Sequence, residues 1–280
     1  MRWIEHLGRV AREAASRVTS AASRREDPAA DDPMAQAVEA SRRGDYQTAL
    51  ALWEPMARAG HARAQSNIGA CFAEGLGVEQ DFKLALGWLT VAAEAGDPVG
   101  QRNLAALYFR GDGVEADDAR AEQLYRAAAS QGDGPAQDML SWMLLEGEAT
   151  PGRIDEARHW ALSAADAGIA SAMTRLGMMH HNAIGFDRDP VRAAHWWRQA
   201  ALGGDADGQA MLGASLHLGN GIGRDGREAL TWLLRAQAGG SSLAAPFLEP
   251  VRNTLTPGDI ATAEQEATLP PALSARGRAA

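Results

Sequence analysis

Apolar and small residues recur along this chain at helical spacing, in segments that return every 36 residues. Within one such segment Ala85, Trp88 and Ala92 are three or four positions apart, which places them on one face of a helix. Equivalent segments begin at 45, 81, 117, 153, 189 and 225 without an insertion. Two positions are invariant in all six segments: Ala49, Ala85, Ala121, Ala157, Ala193 and Ala229, then Gly60, Gly96, Gly132, Gly168, Gly204 and Gly240. Six amphipathic helices are therefore predicted, each closed by a glycine suited to a left-handed C-terminal cap.

Aspartate opens five of these helices, where its side chain can accept a free amide proton. The five are Asp45, Asp81, Asp117, Asp189 and Asp225. Between consecutive segments lies a second apolar pattern, whose repeated positions are Ile68, Leu104, Leu140, Leu176 and Leu212. A small residue follows each of them: Gly69, Ala105, Ser141, Gly177 and Gly213. This pattern predicts one more helix per unit, packed closely against its neighbour, and hence an all-α solenoid.

The stretch "GLGVEQD" at 75–81 has the glycine spacing of a phosphate-binding loop. Such a loop follows a strand, opens a helix and occurs once in a domain. This stretch instead follows a predicted helix, lacks lysine, and returns as "GDGVEAD" at 111–117 and "GNGIGRD" at 219–225. It is therefore predicted to be a turn, with Gly75 as a C-terminal cap and Val78 as an apolar plug. Replacing Gly75 should lower stability and leave any binding activity intact.

The pattern is irregular at a few places. In "EGEATPGRID" (146–155) the second glycine and the capping aspartate are missing, and Ala183 replaces the first glycine of its repeat. Pro246 and Pro250 should shorten the helix after Gly240, and 256–267 should form a last helix capped by Thr256. The predicted organisation is a basic helix (1–25), a linker (26–32), a short first unit (33–60), five repeats (61–240), a capping unit (241–268) and a tail (269–280).

The combined pattern of residues 100–132, "GQRNLAALYFRGDGVEADDARAEQLYRAAASQG", resembles the Sel-one-like repeat, a relative of the tetratricopeptide repeat. The resemblance covers roughly 33–268. It implies a right-handed α/α superhelical solenoid of about seven helix-turn-helix repeats that acts as a scaffold or adaptor without catalysis. It also implies that the helix with Ile68 and its equivalents, which comes first in a repeat of this family, lines a concave, partner-binding surface. The residues expected on that surface are Arg63, Ser66, Arg102, Phe109, Arg110, Asp138, Trp142, Leu145, Met178, His181 and His217.

This expected inner wall is more apolar than contact with solvent requires, mainly through Phe109, Trp142, Leu145 and Met178. Exposed apolar groups beside arginine and aspartate are typical of a surface that binds a protein or peptide. The alternative is that these residues are buried between neighbouring repeats.

Composition narrows the class of protein. Of the 280 residues, 46% are hydrophobic and 22% are charged. This composition is typical neither of a disordered protein nor of a membrane-spanning one. Its net charge of -9 argues against a nucleic-acid partner. The single cysteine, Cys71, excludes an intrachain disulfide and a cysteine-based zinc cluster, and fits a cytoplasmic setting. No cofactor or metal is expected.

Candidates for catalysis are few. Cys71 occupies a slot that is apolar in other repeats, so it is expected to be a buried thiol. His181 and His217, with Asp138 nearby, form the best enzymatic constellation, that of a hydrolase, but no accompanying motif supports it. Trp88, Trp160, Trp196 and Trp232 recur at one position and are expected to be core residues.

The segment 1–25 differs from the repeats. Trp3, Ile4, Leu7 and Val10 share one helical face, and arginines such as Arg9 and Arg12 lie outside the apolar cluster. Six arginines against two glutamates give this segment a charge of +4. It is expected to dock on a partner, to cap the first repeat, to lie on an anionic membrane surface or to be a cleaved targeting sequence. In the membrane case the protein would be an adaptor for an envelope or signalling complex, peripheral to the inner membrane.

Overall fold

A computed structural model describes residues 32–147 and 150–271, and this part of the chain is all-α. Its helices follow one another in pairs joined by short turns. They are α1 (Pro33–Arg42), α2 (Tyr46–Arg58), α3 (Ala62–Glu74), α4 (Phe82–Glu94), α5 (Pro98–Arg110), α6 (Asp118–Ser130), α7 (Gly134–Glu146), α8 (Pro151–Asp166), α9 (Ala170–Asn182), α10 (Pro190–Leu202), α11 (Ala206–Leu218), α12 (Gly226–Ala238), a 3-10 turn (Ser242–Ala244), α13 (Ala245–Arg252) and α14 (Pro257–Ala267). No strand occurs within these ranges, and the predicted repeated helix pairs are confirmed.

The chain forms two compact units, one ending at Ala136 and the other beginning at Gln137. In the first unit the core is built around Trp53, Phe72 and Leu89, all at most 4% exposed. In the second unit one apolar cluster surrounds Trp197 and another surrounds Leu176. Each unit thus has its own core, drawn from the apolar faces of successive helices.

Aspartate side chains cap the helices as the pattern predicts. The Oδ1 atom of Asp81 accepts hydrogen bonds from the backbone amides of Lys83 and Leu84, at 2.9 and 3.0 Å. The equivalent aspartates of four other repeats make the same type of bond: Asp45, Asp117, Asp189 and Asp225. In the remaining repeat Thr150 caps α8, so this helix begins at Pro151 rather than at the predicted residue 153.

The repeated glycine motif is a turn and not a ligand loop. Gly75 ends α3 with φ of 70°, and Gly77 has φ of 71°. A Cβ atom on Gly77 would lie 2.7 Å from the Cβ of Tyr46, which leaves no room for a side chain. Val78 packs against the core of the first unit, as predicted. Both glycines are therefore explained by the fold alone.

Ala183 takes a left-handed conformation, with φ of 57°, where other repeats have glycine. We expect Ala183→Gly to raise the free energy of unfolding by about 1 kcal/mol, because a left-handed residue with a Cβ is strained by about 1–2 kcal/mol and glycine returns part of that gain through a freer unfolded chain. Urea denaturation followed by circular dichroism measures the change. Ala95, which ends α4 with φ of -74°, provides the control. There the same substitution should lower stability by about 0.5–1 kcal/mol, and equal signs at both sites would contradict the explanation.

In the second helices (α2, α4, α6, α8, α10 and α12) the position three residues after the repeated alanine was expected to be core, but the position that is buried in every repeat lies four residues after it. It holds Trp53, Leu89, Tyr125, Ala161, Trp197 and Leu233, all at most 4% exposed. Of the four tryptophans expected in the core, two are buried and two are not. Trp88 and Trp232 are buried, whereas Trp160 and Trp196 are partly exposed, so the expectation is wrong for the latter two. The reason is that the neighbouring first helix approaches at the later position.

Small residues on the first helices make this close approach possible. A Cβ atom on Gly69 would lie 2.7 Å from Cγ of Leu89, and one on Gly213 would lie 2.7 Å from Cγ of Leu233. A Cβ on Gly177 would overlap the indole ring of Trp197. The small positions predicted from the sequence are thus the sites where the two helices of a repeat are in closest contact.

The C-terminal end departs from the repeat as expected. Helix α13 is only 8 residues long and contains Pro250. Helix α14 begins after Thr256, whose hydroxyl accepts the amide of Asp259 at 3.2 Å. Arg235 of α12, which is 8% exposed, donates hydrogen bonds to the backbone carbonyls of Glu266 and Leu269 at 2.7 and 2.8 Å. The last helix is therefore tied to the last full repeat by one buried guanidinium.

Candidate functional site

The candidate site is the face of the first helices (α3, α5, α7, α9 and α11) that is turned away from the second helix of the same repeat. We call it the open face. In the first unit this face forms a groove of about 380 Å³ between α3 and α5. Its lining includes Asn67, Ala70, Glu74, Asn103, Ala106 and Arg110, which are spaced three or four positions apart on the two helices.

Two arginines expected to contact a partner are paired within the chain. Arg63 Nε lies 2.7 Å from Asp97 Oδ2, and Arg102 Nη1 lies 3.0 and 2.8 Å from the two carboxylate oxygens of Asp133. Asp97 and Asp133 also cap the next first helix, through backbone amides at 2.7 and 2.9 Å. These arginines therefore join each first helix to the start of the following one. Their guanidinium groups are therefore already paired within the chain.

The expectation for Ser66 is wrong. Ser66 is 0% exposed, so it cannot contact a partner. It occupies the repeat position of Arg102. The long arginine side chain reaches the surface from this position, whereas the short serine side chain stays buried between the helices. Neighbouring Gln65 illustrates the depth of this layer, because its amide donates to the carbonyl of Ala57 on α2 at 3.0 Å.

The remaining expected residues of the first unit lie near the end of α5. Arg110 Nε contacts Asp112 Oδ2 at 2.5 Å, and its side chain is 47% exposed. Phe109 is half-buried. This end of the groove is thus lined by an accessible but paired arginine.

The open face of the second unit is more apolar. Met178 of α9 is 37% exposed, a high value for a methionine in a helix with a large apolar core nearby. Trp142 and Leu145 on α7 are half-buried, and Leu145 packs against the cluster around Leu176. Leu145 is therefore partly buried between repeats, which was the alternative to partner binding, whereas Met178 is exposed.

Two expected histidines also lie in the second unit. The ring of His181 is 5.5 Å from the ring of Trp197, and its buried Nδ1 atom makes no hydrogen bond with the described residues. His217 on α11 is half-buried. Neither histidine has a carboxylate partner in the described part of the chain.

Asp138 is not available as a partner for these histidines. It is 8% exposed, and its carboxylate accepts the hydroxyl of Ser171 at 2.7 Å and pairs with Arg175 at 2.8 Å. Ile169 stands where other first helices have a capping aspartate and makes no side-chain cap hydrogen bond, and the carboxylate of Asp138 contacts α9 instead. The best enzymatic constellation thus lacks its acid, and no group of three metal-ligating side chains occurs within 32–147 and 150–271.

The other reactive groups are buried in the cores. Cys71 is 3% exposed, and burial raises the pKa of its thiol to about 12, so it remains protonated and unreactive near neutral pH. His180 is 3% exposed and stacks on Phe186 with ring centroids 4.1 Å apart. Burial lowers the pKa of His180, so its neutral form is favoured. Neither group faces a space where a substrate could react.

The segment containing Trp3, Ile4, Leu7, Val10, Arg9 and Arg12 lies outside the described residues. Among the helices that are described, none combines the length and the apolar character that crossing a bilayer requires.

Two features of the open face were not predicted from the sequence. Asp97, Asp133 and Asp205 recur at multiples of 36 residues, and Asp205 accepts the hydroxyl of Thr174 at 2.6 Å, so the same register could have revealed the contacts between first helices. Asn67 and Asn103 are also 36 residues apart and line the groove of the first unit. Their shared position was visible in the sequence, but their exposure in a groove was not.

Comparisons with known proteins agree with this architecture. The chain is 27% identical to the structure of c5321, described as a protective antigen of uropathogenic Escherichia coli with an SLR fold, with a TM-score of 0.77. That match covers 90% of this chain and 57% of the antigen, so this chain spans little more than half of its length. A Sel1 repeat protein from Oxalobacter formigenes is also 27% identical, with a TM-score of 0.71 over 85% of this chain and 97% of that one. No curated protein matches the chain in sequence.

A family model described as the Sel1 repeat matches six consecutive segments: 40–61, 62–97, 98–133, 134–169, 170–205 and 206–241. These segments contain the repeated helix pairs described above and cover most of the chain. The protein therefore belongs to the Sel1 repeat family, as an all-α solenoid of consecutive helix-turn-helix repeats.

Proposed function

We propose that this protein is a non-catalytic scaffold or adaptor that binds a partner protein or peptide through the open faces of its first helices. Sel1 repeat proteins are typically scaffolds for protein-protein interaction. The observation that carries the proposal for this chain is the 37% exposure of Met178 on the open face of the second unit, at the repeat position that half-buried Trp142 occupies 36 residues earlier. A flexible, polarizable side chain held on a rigid helix is well suited to a protein contact.

A second exposed apolar residue supports the same surface. Leu218, at the end of α11, is 53% exposed and occupies the repeat position that Arg110 takes in the groove of the first unit. The frame of caps and glycines is constant from repeat to repeat, whereas these open-face positions vary in chemistry. Such variation on a constant frame is how solenoids acquire different partners.

The test is recovery of bound partner by tagged protein from its native cells, compared between matched variants. We expect Met178→Glu and Leu218→Glu each to reduce recovery at least about tenfold, because a carboxylate placed in an apolar contact loses its water without gaining a partner. The control is Leu202→Glu, which makes the same change at a leucine that is 53% exposed on α10, a second helix. Equal recovery by all variants would contradict binding through the open face.

A second candidate function rests on the sequence of 1–25 alone. Its charge of +4 and its apolar positions Trp3, Ile4 and Leu7 suit peripheral attachment to an anionic membrane surface. The full chain should then sediment with vesicles of anionic lipid at low salt, and a chain that begins at residue 26 should not. Equal sedimentation of the two chains would rule this attachment out.

A further inference from the structure

The core position at the end of α9 holds a histidine where the other repeats hold residues that do not titrate near neutral pH. His180 is 3% exposed, and its equivalents in other repeats are Phe72, Tyr108, Leu144 and Leu216. An imidazole changes its charge between about pH 5 and 8, whereas these side chains do not. This repeat therefore has a titratable group at a position that is filled only for packing elsewhere.

His180 holds the turn that follows α9. Its ring stacks on Phe186 with ring centroids 4.1 Å apart and donates a hydrogen bond to the backbone carbonyl of Asp187. Its own backbone carbonyl accepts the amide of Asp189 at 3.0 Å. Three contacts of the turn at 183–189 thus converge on one residue.

A proton on the buried side of this ring would have no acceptor. The Nδ1 atom of His180 is buried and makes no hydrogen bond within the described part of the chain. In the charged imidazole both nitrogens carry hydrogen, so Nδ1 would become a buried donor without a partner. Burial is the largest cause that lowers the pKa of His180. The neutral ring therefore fits this position and the charged ring does not.

The charged groups at the start of α10 do not compensate a proton on His180. Arg192 opposes the charge and Asp189 favours it. The carboxylate of Asp189 is already engaged, because it accepts the backbone amides of Val191 and Arg192, both at 3.0 Å. It also pairs with the side chain of Arg192 at 3.4 Å.

A further cation comes from α8. Arg158 lies 5.6 Å from the centre of the Phe186 ring and donates to the carbonyl of Gly185 at 2.7 Å. Its own partner, Asp155, is exposed and lies 3.0 Å away. Protonation of His180 would add a second cation to a ring that already contacts one, and the two like charges would repel each other.

The turn begins at a strained residue. Of the described residues other than glycine, only Ala183 has a positive φ, of 57°. A left-handed residue with a Cβ is strained, and this strain is released when the turn opens. The closed turn is therefore less strongly favoured in this repeat than in those where the turn begins with glycine.

We propose that protonation of His180 opens the turn at 183–189 and thereby weakens binding of a partner to the open face of the second unit. This inference rests on the proposed function and names the regulation of that site by acid. The connection is α9 itself, because exposed Met178 lies in the last two turns of a helix that ends at Asn182. When the turn opens, the end of α9 loses the contacts that fix the position of Met178.

The direction of the effect follows from the two states of His180. In the open turn the ring lies in water and has an ordinary pKa of about 6.5. In the closed turn burial lowers the pKa of His180. The closed turn is therefore most stable above about pH 6.5 and loses stability as the pH falls below it. Because one proton is involved, the opening equilibrium can rise at most about 30-fold from about pH 7.5 to about pH 5.0.

Hydrogen exchange of the full-length protein, followed by NMR, measures the opening. The reporting amides are those of Ile184 and Asp189, which donate to the carbonyls of Met179 and His180. We expect their protection, corrected for the intrinsic exchange rate, to fall about 10- to 30-fold from about pH 7.5 to about pH 5.0. His180→Phe and His180→Leu, which copy other repeats, should both abolish this fall. His195→Gln, at an exposed histidine of α10, is the matched control and should retain it.

Partner recovery tests the consequence for binding. A 30-fold shift controls binding only where the closed turn is favoured by about 30-fold or less at neutral pH. We expect recovery by the unaltered protein to fall at least about threefold over the same pH range, and recovery by His180→Phe to stay constant. Ala183→Gly relieves the strain, so it should raise the protection at both pH values and keep the difference between them.

Three results would overturn the inference. The first is protection of the turn that does not change with pH, and the second is an equal change in His180→Phe and His180→Leu. The third is partner recovery that responds to pH equally in the unaltered protein and in His180→Phe. Failure of the proposed function is distinguishable, because Met178→Glu would then leave recovery unchanged at about pH 7.5 while hydrogen exchange still decided the role of His180.

Discussion

Trp197→Ala is expected to lower the free energy of unfolding by about 3–5 kcal/mol, the range typical of a fully buried tryptophan. The side chain is 1% exposed and fills the space left by the missing side chain of Gly177. Removing it leaves a cavity in the core of the second unit that the surrounding helices cannot fully close. Urea denaturation followed by circular dichroism measures the loss, since this signal does not depend on the tryptophan itself.

A second substitution tests whether Gly177 and Trp197 are coupled. Alone, Gly177→Ser should cost about 1–3 kcal/mol, because its Cβ would overlap the indole ring. One repeat earlier the equivalent positions hold Ser141 and Ala161, and the serine hydroxyl donates to the carbonyl of Ala157 at 2.9 Å. The double variant reproduces this pair, so its loss should be smaller than the sum of the single losses by at least about 1 kcal/mol.

Additive losses would show that the two positions are not coupled and would contradict the proposed contact. The control for the glycine position is Gly87→Ala on α4. A Cβ at Gly87 would have no neighbour within 4 Å, and the residue lies inside a helix. Alanine should therefore raise stability there by about 0.5–1 kcal/mol, opposite in sign to the effect at Gly177.

Arg235→Gln is expected to lower the free energy of unfolding by about 2–4 kcal/mol. The buried guanidinium donates to the carbonyls of Glu266 and Leu269, and it lies 4.8 Å from the ring of Trp232. Charged hydrogen bonds of this kind are worth about 1.5–3 kcal/mol, and the cation also favours the carboxyl end of α14. Hydrogen exchange should show that the amides of α14 lose protection before those of α12.

The control is another arginine that contacts α14 from an exposed site. Arg252 pairs with Glu264 at 3.0 Å, and their side chains are 31% and 50% exposed. Because exposed ion pairs contribute little, Arg252→Gln should cost less than about 1 kcal/mol. Similar losses for the two arginines would mean that burial of the guanidinium does not determine how α14 is held.

Features that act within one turn could be predicted from the sequence. Asp81 caps the start of α4, and Gly75 ends α3 in a left-handed conformation. Neither role depends on a distant part of the molecule. Their recurrence every 36 residues then gave the helix pairs and the family. Ala183 was recognised as an exception for the same reason, and its positive φ agrees with the position of the glycines that it replaces.

Features that depend on a neighbouring helix could not be resolved in this way. Trp196 and Trp197 are adjacent and both apolar, and helical periodicity alone does not decide which one meets the next helix. The structure buries Trp197 against Gly177 and leaves Trp196 half-exposed. Ser66 was expected to contact a partner, but it is fully buried. Its side chain is too short to reach the surface from this position.

The pattern of residues along one helix also does not predict which charged side chains on different helices pair with each other. Asp138 was expected to be near the histidines, yet its oxygens contact Ser171 and Arg175 of the next first helix. Ile169, a residue 31 positions away, does not supply the usual cap of that helix. The sequence around Asp138 therefore does not indicate which residues its carboxylate contacts.

The matched sizes at the helix contacts limit how this gene could be lengthened or recombined. A first helix with glycine requires a second helix with a large residue, as in Gly213 with Leu233, whereas serine accompanies alanine. Duplicating or exchanging a segment preserves the packing only if both helices of a pair move together. Breakpoints just before a first helix, as at 98 or 206, would keep these matched pairs together. Breakpoints between the two helices of a pair would join mismatched partners and be eliminated by instability.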